Sequence, residues 1–324
     1  MLTAVKPAKF QIVVPVWGAD YLQLLQTCLL PSLLAPGNLP AWPHGSQTEL
    51  HIFIPPDDAK KLENSPVIQV LRHFCAVHFD LFEPESLKSW IRQRGEVNKY
   101  NLTHVLLCQA LEAAHAQSAS VFPLMADMVV GDGFFLFVEK IRQQGIQLLM
   151  HISPRVVKTE FLGLSKGYYG SPTCLKIPPL TLARLSLLSL HPHEKACFFD
   201  APAFTDWPSH FYVRSGHQLI AHCFHMHPMY MFEPRPLSQA AFSTIDLDYV
   251  LQYTGDLSRV YVAQNHEMAA CSLSNPEQDL HLSHAIAGQD RLKTLKMFSK
   301  YSAQPLHHWL FRQPIYYDLS DLQS

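Results

Sequence analysis

An α/β fold is predicted, with a Rossmann-like, mostly parallel sheet flanked by helices and an elaborated mixed α+β C-terminal half. Three observations lead there. Short β-rich runs alternate with helical runs through residues 10–152. Several of those runs are continuously apolar, as buried parallel strands are. The chain has 324 residues, 48% hydrophobic and 16% charged, enough to bury a substantial core.

The first strand is Phe10-Gln-Ile-Val-Val-Pro-Val16. Trp17-Gly-Ala-Asp20 turns the chain into a helix over 21–34, with Leu22, Leu25, Leu29 and Leu33 at helical spacing and Pro36-Gly-Asn-Leu-Pro40 as its stop. Glu49–Ile54 is a second strand, closed by Pro55-Pro56, and Asp57 and Asp58 offer N-caps for a helix through about Phe74. Ala76–Phe82 is a third strand. A helix over 101–117 carries Leu102, Val105, Leu106, Ala110, Leu111 and Ala114 on one side. Ser120–Ala126 is a fourth strand, ending at Asp127. A helix over 133–144 with Gly145 at its C-terminal cap leads to a fifth strand, 146–152. Alternation of this kind argues for parallel strands with helices on both faces.

Beyond residue 155 the pattern changes. Helices are expected over 178–190, 290–301 and 305–311, with short strands at 211–213, 219–224 and 259–263 and a short element at 244–253. No Gly- or Ser-rich linker separates the halves. Residues 1–155 and 156–324 are therefore read as two halves of one continuous domain, the first binding a ligand and the second facing its acceptor.

Composition excludes several classes. Lys and Arg number 25 against 27 Asp and Glu, a net charge of -2, which gives no basic face for nucleic acid. No apolar run reaches the roughly 18 residues that span a bilayer, and the start lacks an apolar signal region. A cytoplasmic location is expected, with contact to a membrane surface left open. The seven Cys form no Cys-x-x-Cys pair and suggest neither disulfides nor a zinc knuckle. No Gly-x-Gly-x-x-Gly, Walker or Gly-x-Ser-x-Gly sequence occurs. The 19 His keep metal ligation and acid–base chemistry open.

Five groups of residues can carry chemistry. Asp127 stands at a strand end, where open α/β sheets bind ligands; Asp132, in Gly131-Asp132-Gly133, competes as a simple helix cap. His225 and His227 share a face if extended and can converge on one metal ion, or can be hydrogen-bonded structural histidines. Asp246 and Asp248 likewise share a face if extended, for a cation or as a base toward a hydroxyl, or else lie in the first turn of a capped helix. Lys99 and Asn101, with Asn98, Tyr100 and His104, open a helix whose N-terminus suits phosphate. His266 and Glu267 follow a short strand as acid–base candidates.

These segments resemble the GT-A class of nucleotide-sugar-dependent glycosyltransferases over residues 10–150. The likeness lies in the strand ending Val14-Pro15-Val16, in Asn98-Lys99-Tyr100-Asn101 followed by a helix and Val121-Phe-Pro-Leu-Met-Ala-Asp127-Met, and in Gly131-Asp132-Gly133-Phe134 with its helix. The resemblance implies transfer of a sugar from a nucleoside-diphosphate donor to a hydroxyl acceptor such as a glycan, for instance in surface polysaccharide synthesis. It implies donor contacts from Pro15, Val16, Trp17, Lys99, Asn101 and Asp127. It also implies a divalent cation, Mn or Mg, on Asp127 with a late histidine, His225 or His227. Met125 occupies the first position of the family's Asp-x-Asp motif. Asp246, Asp248 and Glu267 are then the candidate acceptor-side catalytic groups. The rival expectations are a catalytically silent nucleotide-binding protein, a hydrolase with a metal on His225, His227, Asp246 and Asp248, and a plain interaction protein.

Overall fold

The first apolar run folds as β1 (Lys9–Pro15), an interior parallel strand of a seven-stranded sheet. The computed structural model describes residues 9–237, 242–278 and 285–320. The helix after β1 comes in three pieces, α1 (Ala19–Leu24), a π-helical turn (Leu25–Leu29) and α2 (Leu30–Leu33), with Leu22, Leu25, Leu29 and Leu33 all buried. Next come β2 (Thr48–Ile54), α3 (Pro56–Glu63), α4 (Pro66–Leu71) and β3 (Ala76–Leu81). The single helix expected over 57–74 is thus two. Pro66 lacks the N–H that a continuous helix needs, and it holds Ser65 extended at φ -69°, ψ 143°. Asp57 and Asp58 lie in the first turn of α3, where Pro55 is the N-cap, and pair with Lys60 and Lys61.

α5 (Pro84–Arg92), not anticipated from the sequence, precedes α6 (Lys99–Ala116), β4 (Ala119–Pro123), β5 (Met128–Val130), α7 (Phe134–Gln143) and β6 (Leu148–His151). The remainder runs β7 (Arg155–Val157), α8 (Lys158–Ser165), β8 (Tyr169–Ser171), β9 (Cys174–Leu175), α9 (Pro179–Leu188) and α10 (Pro192–Lys195). Strands β10 (Ala203–Thr205), β11 (His210–Ser215), β12 (Gln218–Cys223) and β13 (His227–Met231) follow. The chain continues through β14 (Val260–Val262), β15 (Ala270–Ser274), β16 (Ala285–Ala287), α11 (Arg291–Ser302), α12 (Pro305–Phe311) and β17 (Ile315–Asp318).

The large sheet has the order β3-β2-β1-β4-β13-β6-β14. All pairs are parallel except those of β13, which runs antiparallel to both β4 and β6. Two of the seven strands, β13 and β14, come from beyond residue 155. Smaller sheets order as β11-β12-β17 and β5-β15-β7. Strand alternation divides the core in two. Phe10, Ile12 and Val14 of β1 join Leu50 and Ile52 of β2 and the helices around α2, α4 and α7. Val13, Phe53 and Val121 face the other way, against Leu107, Ala110, Leu111 and Ala114 of α6. All seven Cys are free.

Candidate functional site

The strand order reverses between β1 and β4: β2 and β3 extend the sheet on one side of β1, while β4, β13, β6 and β14 extend it on the other. Loops leaving the carboxyl ends of two such strands part and open a crevice, the usual ligand position in open α/β sheets. After β1 the crevice is bordered by Val16 and Trp17. Val16 is buried and its N–H donates to Phe53 O at 2.9 Å, which prolongs the strand. Trp17 is half-buried and meets Phe82 edge-on at 6.2 Å, and Gly18 turns at φ +86°.

On the β4 side, regular pairing stops at Pro123, sooner than expected. Asp127 is half-buried in a tight turn that reverses the chain into β5. That turn is held by the Leu273 N–H, which donates to Asp127 O at 2.8 Å. Met125 is half-buried and its N–H points to Met128 Sδ at 3.3 Å.

α6 begins at the same end, because it runs back against β4. Asn98 is its N-cap, accepting from the Asn101 N–H at 2.9 Å, and the Asn101 amide donates to Glu96 O at 2.6 Å. Asn98 and Asn101 therefore build the turn, and the cap already satisfies one of the amides an anion would use. Lys99, half-buried, places its ammonium 5.1 Å from the Tyr100 ring centre.

β13 brings histidines to this edge because it is antiparallel: its first residue, His227, pairs with His151, the last of β6. His225 precedes the strand in a bend, so the two-residue alternation expected for His225 and His227 does not apply. His227 Nε2–H donates to Pro123 O at 2.9 Å, and His225 Nε2–H donates to Ser302 O at 2.8 Å. Burial lowers the pKa of His227 against the opposing pull of the Pro123 carbonyl and of Asp246. His307 stands beside His225, ring centres 4.8 Å apart, and burial together with the charge of His225 lowers its pKa to about 4. Asp246 is half-buried within electrostatic reach of both His227 and His307, whereas Asp248 is exposed and adjoins Tyr249. The two acids occupy a turn rather than an extended strand, so they do not share a face. The short 3-10 helix that follows, Tyr249–Tyr253, starts without a side-chain cap.

The donor set at Asp127 does not fit a divalent ion. The first acid is Met125, and the Nε2 atoms of His225 and His227 are spent on carbonyls. Among the described residues, the one group of three with ligand atoms close enough to hold a metal is Glu49, His51 and His78, on β2 and β3.

Glu267 stands apart from the crevice, beyond the edge strand β14. One of its carboxylate oxygens accepts from the Tyr261 hydroxyl at 2.7 Å and the other from the Gln264 N–H at 3.0 Å. Both oxygens close a local turn. Asp132 is similarly occupied: its Oδ1 accepts from the Gly37 N–H at 2.6 Å. A groove of about 530 Å³ lies at the opposite end of the sheet between Arg142, Gln147, Phe232 and Arg259. Its arginines are paired to Glu139 and Asp256, and it faces the amino ends of β6 and β14, where the strand-end argument places no ligand.

Sequence reasoning missed three groups. His151 is fully buried at the carboxyl end of β6; its Nδ1–H donates to Ala263 O at 3.1 Å, its Nε2 has no partner, and burial lowers its pKa to about 4. His307 was hidden in the helical run Pro305-Leu-His-His. Glu194 is buried on α10 and accepts from His210 Nε2–H and the Tyr212 hydroxyl, each at 2.8 Å, and from the Arg155 N–H at 3.1 Å. Only the count of 19 His hinted at these; their partners are distant in sequence.

No family model matches the chain, and no curated protein matches it. Among solved structures, mouse xyloside xylosyltransferase 1 in its apo form is similar at 12% identity and a TM-score of 0.29, over 51% of this chain and 60% of that one. Core-mannan synthase A from Aspergillus fumigatus, in its Mn/GDP form, is similar at 11% identity and a TM-score of 0.25, over 52% and 51%. A protein described as a glucose-1-phosphate thymidylyltransferase from Bacillus anthracis, in complex with a sucrose, gives 12% identity and a TM-score of 0.25, over 48% and 57%. The matched stretches span less than two thirds of each neighbour. The chain is thus distantly similar in structure to glycosyltransferases and to a nucleotidyltransferase.

Proposed function

We propose that this chain binds a nucleoside-diphosphate sugar in the crevice between β1 and β4 and transfers the sugar to a hydroxyl acceptor. The observation that carries the reading is the reversal of strand order between β1 and β4, with Trp17 leaving one strand and Asp127 following the other. The GT-A-like segments of the sequence supply the donor class. Lys99, at the start of α6, offers a positive charge toward the leaving diphosphate. Asp246 is the acceptor-side base in this reading, since it alone of Asp246, Asp248 and Glu267 adjoins the histidines of the crevice edge. No step is assigned to a metal, because the residues around Asp127 do not form a ligand set.

A second reading is a nucleotide-binding protein without turnover, favoured by Met125 where the family's first acid stands. A thermal-shift screen of nucleoside diphosphates and nucleotide sugars, followed by a donor-hydrolysis assay, separates the two. Stabilisation with hydrolysis supports transfer, stabilisation alone supports silent binding, and no stabilisation by any nucleotide overturns both. The hydrolase reading has no comparable support, since Asp248 is exposed and the Nε2 atoms of His225 and His227 face carbonyls.

A further inference from the structure

Away from the crevice, β2 and β3 place four polar side chains on one face of the sheet. In their parallel register His51 lies opposite His78, with Glu49 two residues before His51 and Asp80 two residues after His78. Side chains two apart on a strand share a face, and registered neighbours on parallel strands do too. The His51 and His78 rings accordingly stack, centres 4.9 Å apart and planes 19° from parallel. His51 Nε2 is 3.2 Å from Glu49 Oε2, and its Nδ1 is 2.9 Å from Asp80 Oδ2. Ligand atoms of Glu49, His51 and His78 all lie within 4.8 Å of one another. Glu49 and His51 are half-buried and His78 is exposed, so the group opens to solvent.

We propose that Glu49, His51 and His78 bind one borderline divalent ion of the Zn2+ type, with Asp80 orienting His51. Two imidazoles and one carboxylate are a donor set that such ions favour over Mg2+ or Ca2+. Tetrahedral geometry with ~2.1 Å bonds requires ligand atoms ~3.4 Å apart. The Glu49–His51 pair already has that spacing, so only the exposed His78 has to close in. Asp80 on Nδ1 supplies the carboxylate–histidine–metal arrangement that fixes the tautomer and raises ligand basicity. Water completes the fourth position. On β1, Gln11 stands in register beside Glu49, is buried, and has an Nε2 without a partner, which leaves an amide donor on this same face.

Without metal, His51 has a carboxylate at each nitrogen. An ion bound there replaces the hydrogen bond between His51 Nε2 and Glu49 Oε2. β3 is one of the two edge strands of the sheet. An ion held by both strands would clamp that edge, independently of any ligand in the crevice.

The test is Zn2+ titration of the full, chelator-stripped chain against a chromophoric chelator at neutral pH. One equivalent is expected to bind at micromolar or lower free Zn2+ and to raise Tm. His78→Ala and Glu49→Gln should weaken that equivalent tenfold or more, and Asp80→Asn about 10- to 100-fold. His217→Ala, at an exposed histidine elsewhere, should change nothing. No uptake by the unaltered chain, or equal uptake by His78→Ala and Glu49→Gln, overturns the proposal. Co2+ loading of the unaltered chain gives a reading that needs no variant: intense low-coordinate d–d bands support the site, and only the weak bands of octahedral Co2+ overturn it.

Discussion

The imidazole of His210 donates through Nε2–H to Glu194 Oε2 at 2.8 Å, and the Tyr212 hydroxyl reaches the same oxygen at the same distance. Burial works to raise the Glu194 pKa, but the charge and hydrogen bond of His210 hold it down to about 2. In return the Glu194 charge outweighs burial and keeps His210 well above its usual value. This ion pair joins α10 to β11. Removing one partner strands a charge in the interior, so Glu194→Gln and His210→Ala are each expected to cost about 3–5 kcal/mol. Tyr212→Phe, which removes one of three donors, should cost about 1 kcal/mol. Urea unfolding measures all three; a Glu194→Gln chain as stable as the parent would show that the pair contributes nothing.

Stability should peak near pH 6.5. Burial lowers His151, His193 and His307 to about 4. Between pH 4 and the unfolded value of about 6.5, the unfolded chain binds protons that the folded chain refuses, so stability rises with pH there. His210 and His51 are shifted upward. Above about pH 6.5 the folded chain keeps protons that the unfolded chain releases, so stability falls as pH rises toward their folded values. Each unmatched proton contributes about 1.4 kcal/mol per pH unit. Midpoints of urea unfolding from pH 4.5 to 9 trace the curve, and a monotonic rise toward alkaline pH would contradict it.

Much of this architecture was legible in the sequence, and the failures have a common cause. β1, β2, β3 and α6 fall within two residues of their expected spans because each is a strong local pattern ended by Pro, Asn or an acid. The α12 bounds, Pro305–Phe311, match the run that Pro305 opens. What escaped was long-range pairing. β13 was not among the expected strands, and only its insertion between β4 and β6 makes it one. The same holds for the site. Asp127 could be placed by chain order, but His307 and Asp246 meet only through tertiary contacts. The contact of Glu267 with Tyr261 was not legible either, because a carboxylate after a strand looks the same in sequence whether it faces solvent or folds back on a tyrosine.

Asp127→Asn should abolish nucleotide-induced stabilisation while leaving the unfolding free energy of the free chain within about 0.5 kcal/mol of the parent, as surface-accessible changes usually do. Lys99→Ala should weaken nucleoside-diphosphate binding more than nucleoside binding. Isothermal calorimetry with the paired ligands measures both. Unchanged affinity in both variants would move the ligand away from the β1–β4 crevice.

Asn38 should prove purely architectural. Its amide donates to Ser32 O at 2.7 Å and Gly131 O at 3.1 Å, and its Oδ1 accepts from the Gly133 N–H at 3.1 Å. Asn38→Ala is expected to destabilise by about 2–4 kcal/mol through these buried, abandoned groups. Gly37→Ala would push a Cβ to 2.9 Å from Asp132 Oδ1 and from the Gly133 backbone, so it too should destabilise. Thermal melts with and without nucleotide separate this from a ligand role: both variants should shift the melting temperature equally in the two conditions.

The antiparallel insertion of β13 has a consequence for how the chain reaches its native state. While the ribosome has delivered only the first 155 residues, β4 and β6 have no strand between them, and each exposes an unpaired edge. The sheet closes only after β13 and then β14 emerge, so its central contacts join residues about 80–110 positions apart. Folding of this kind is governed by slow, nonlocal closure, and the nascent first half is the stage most exposed to misassociation.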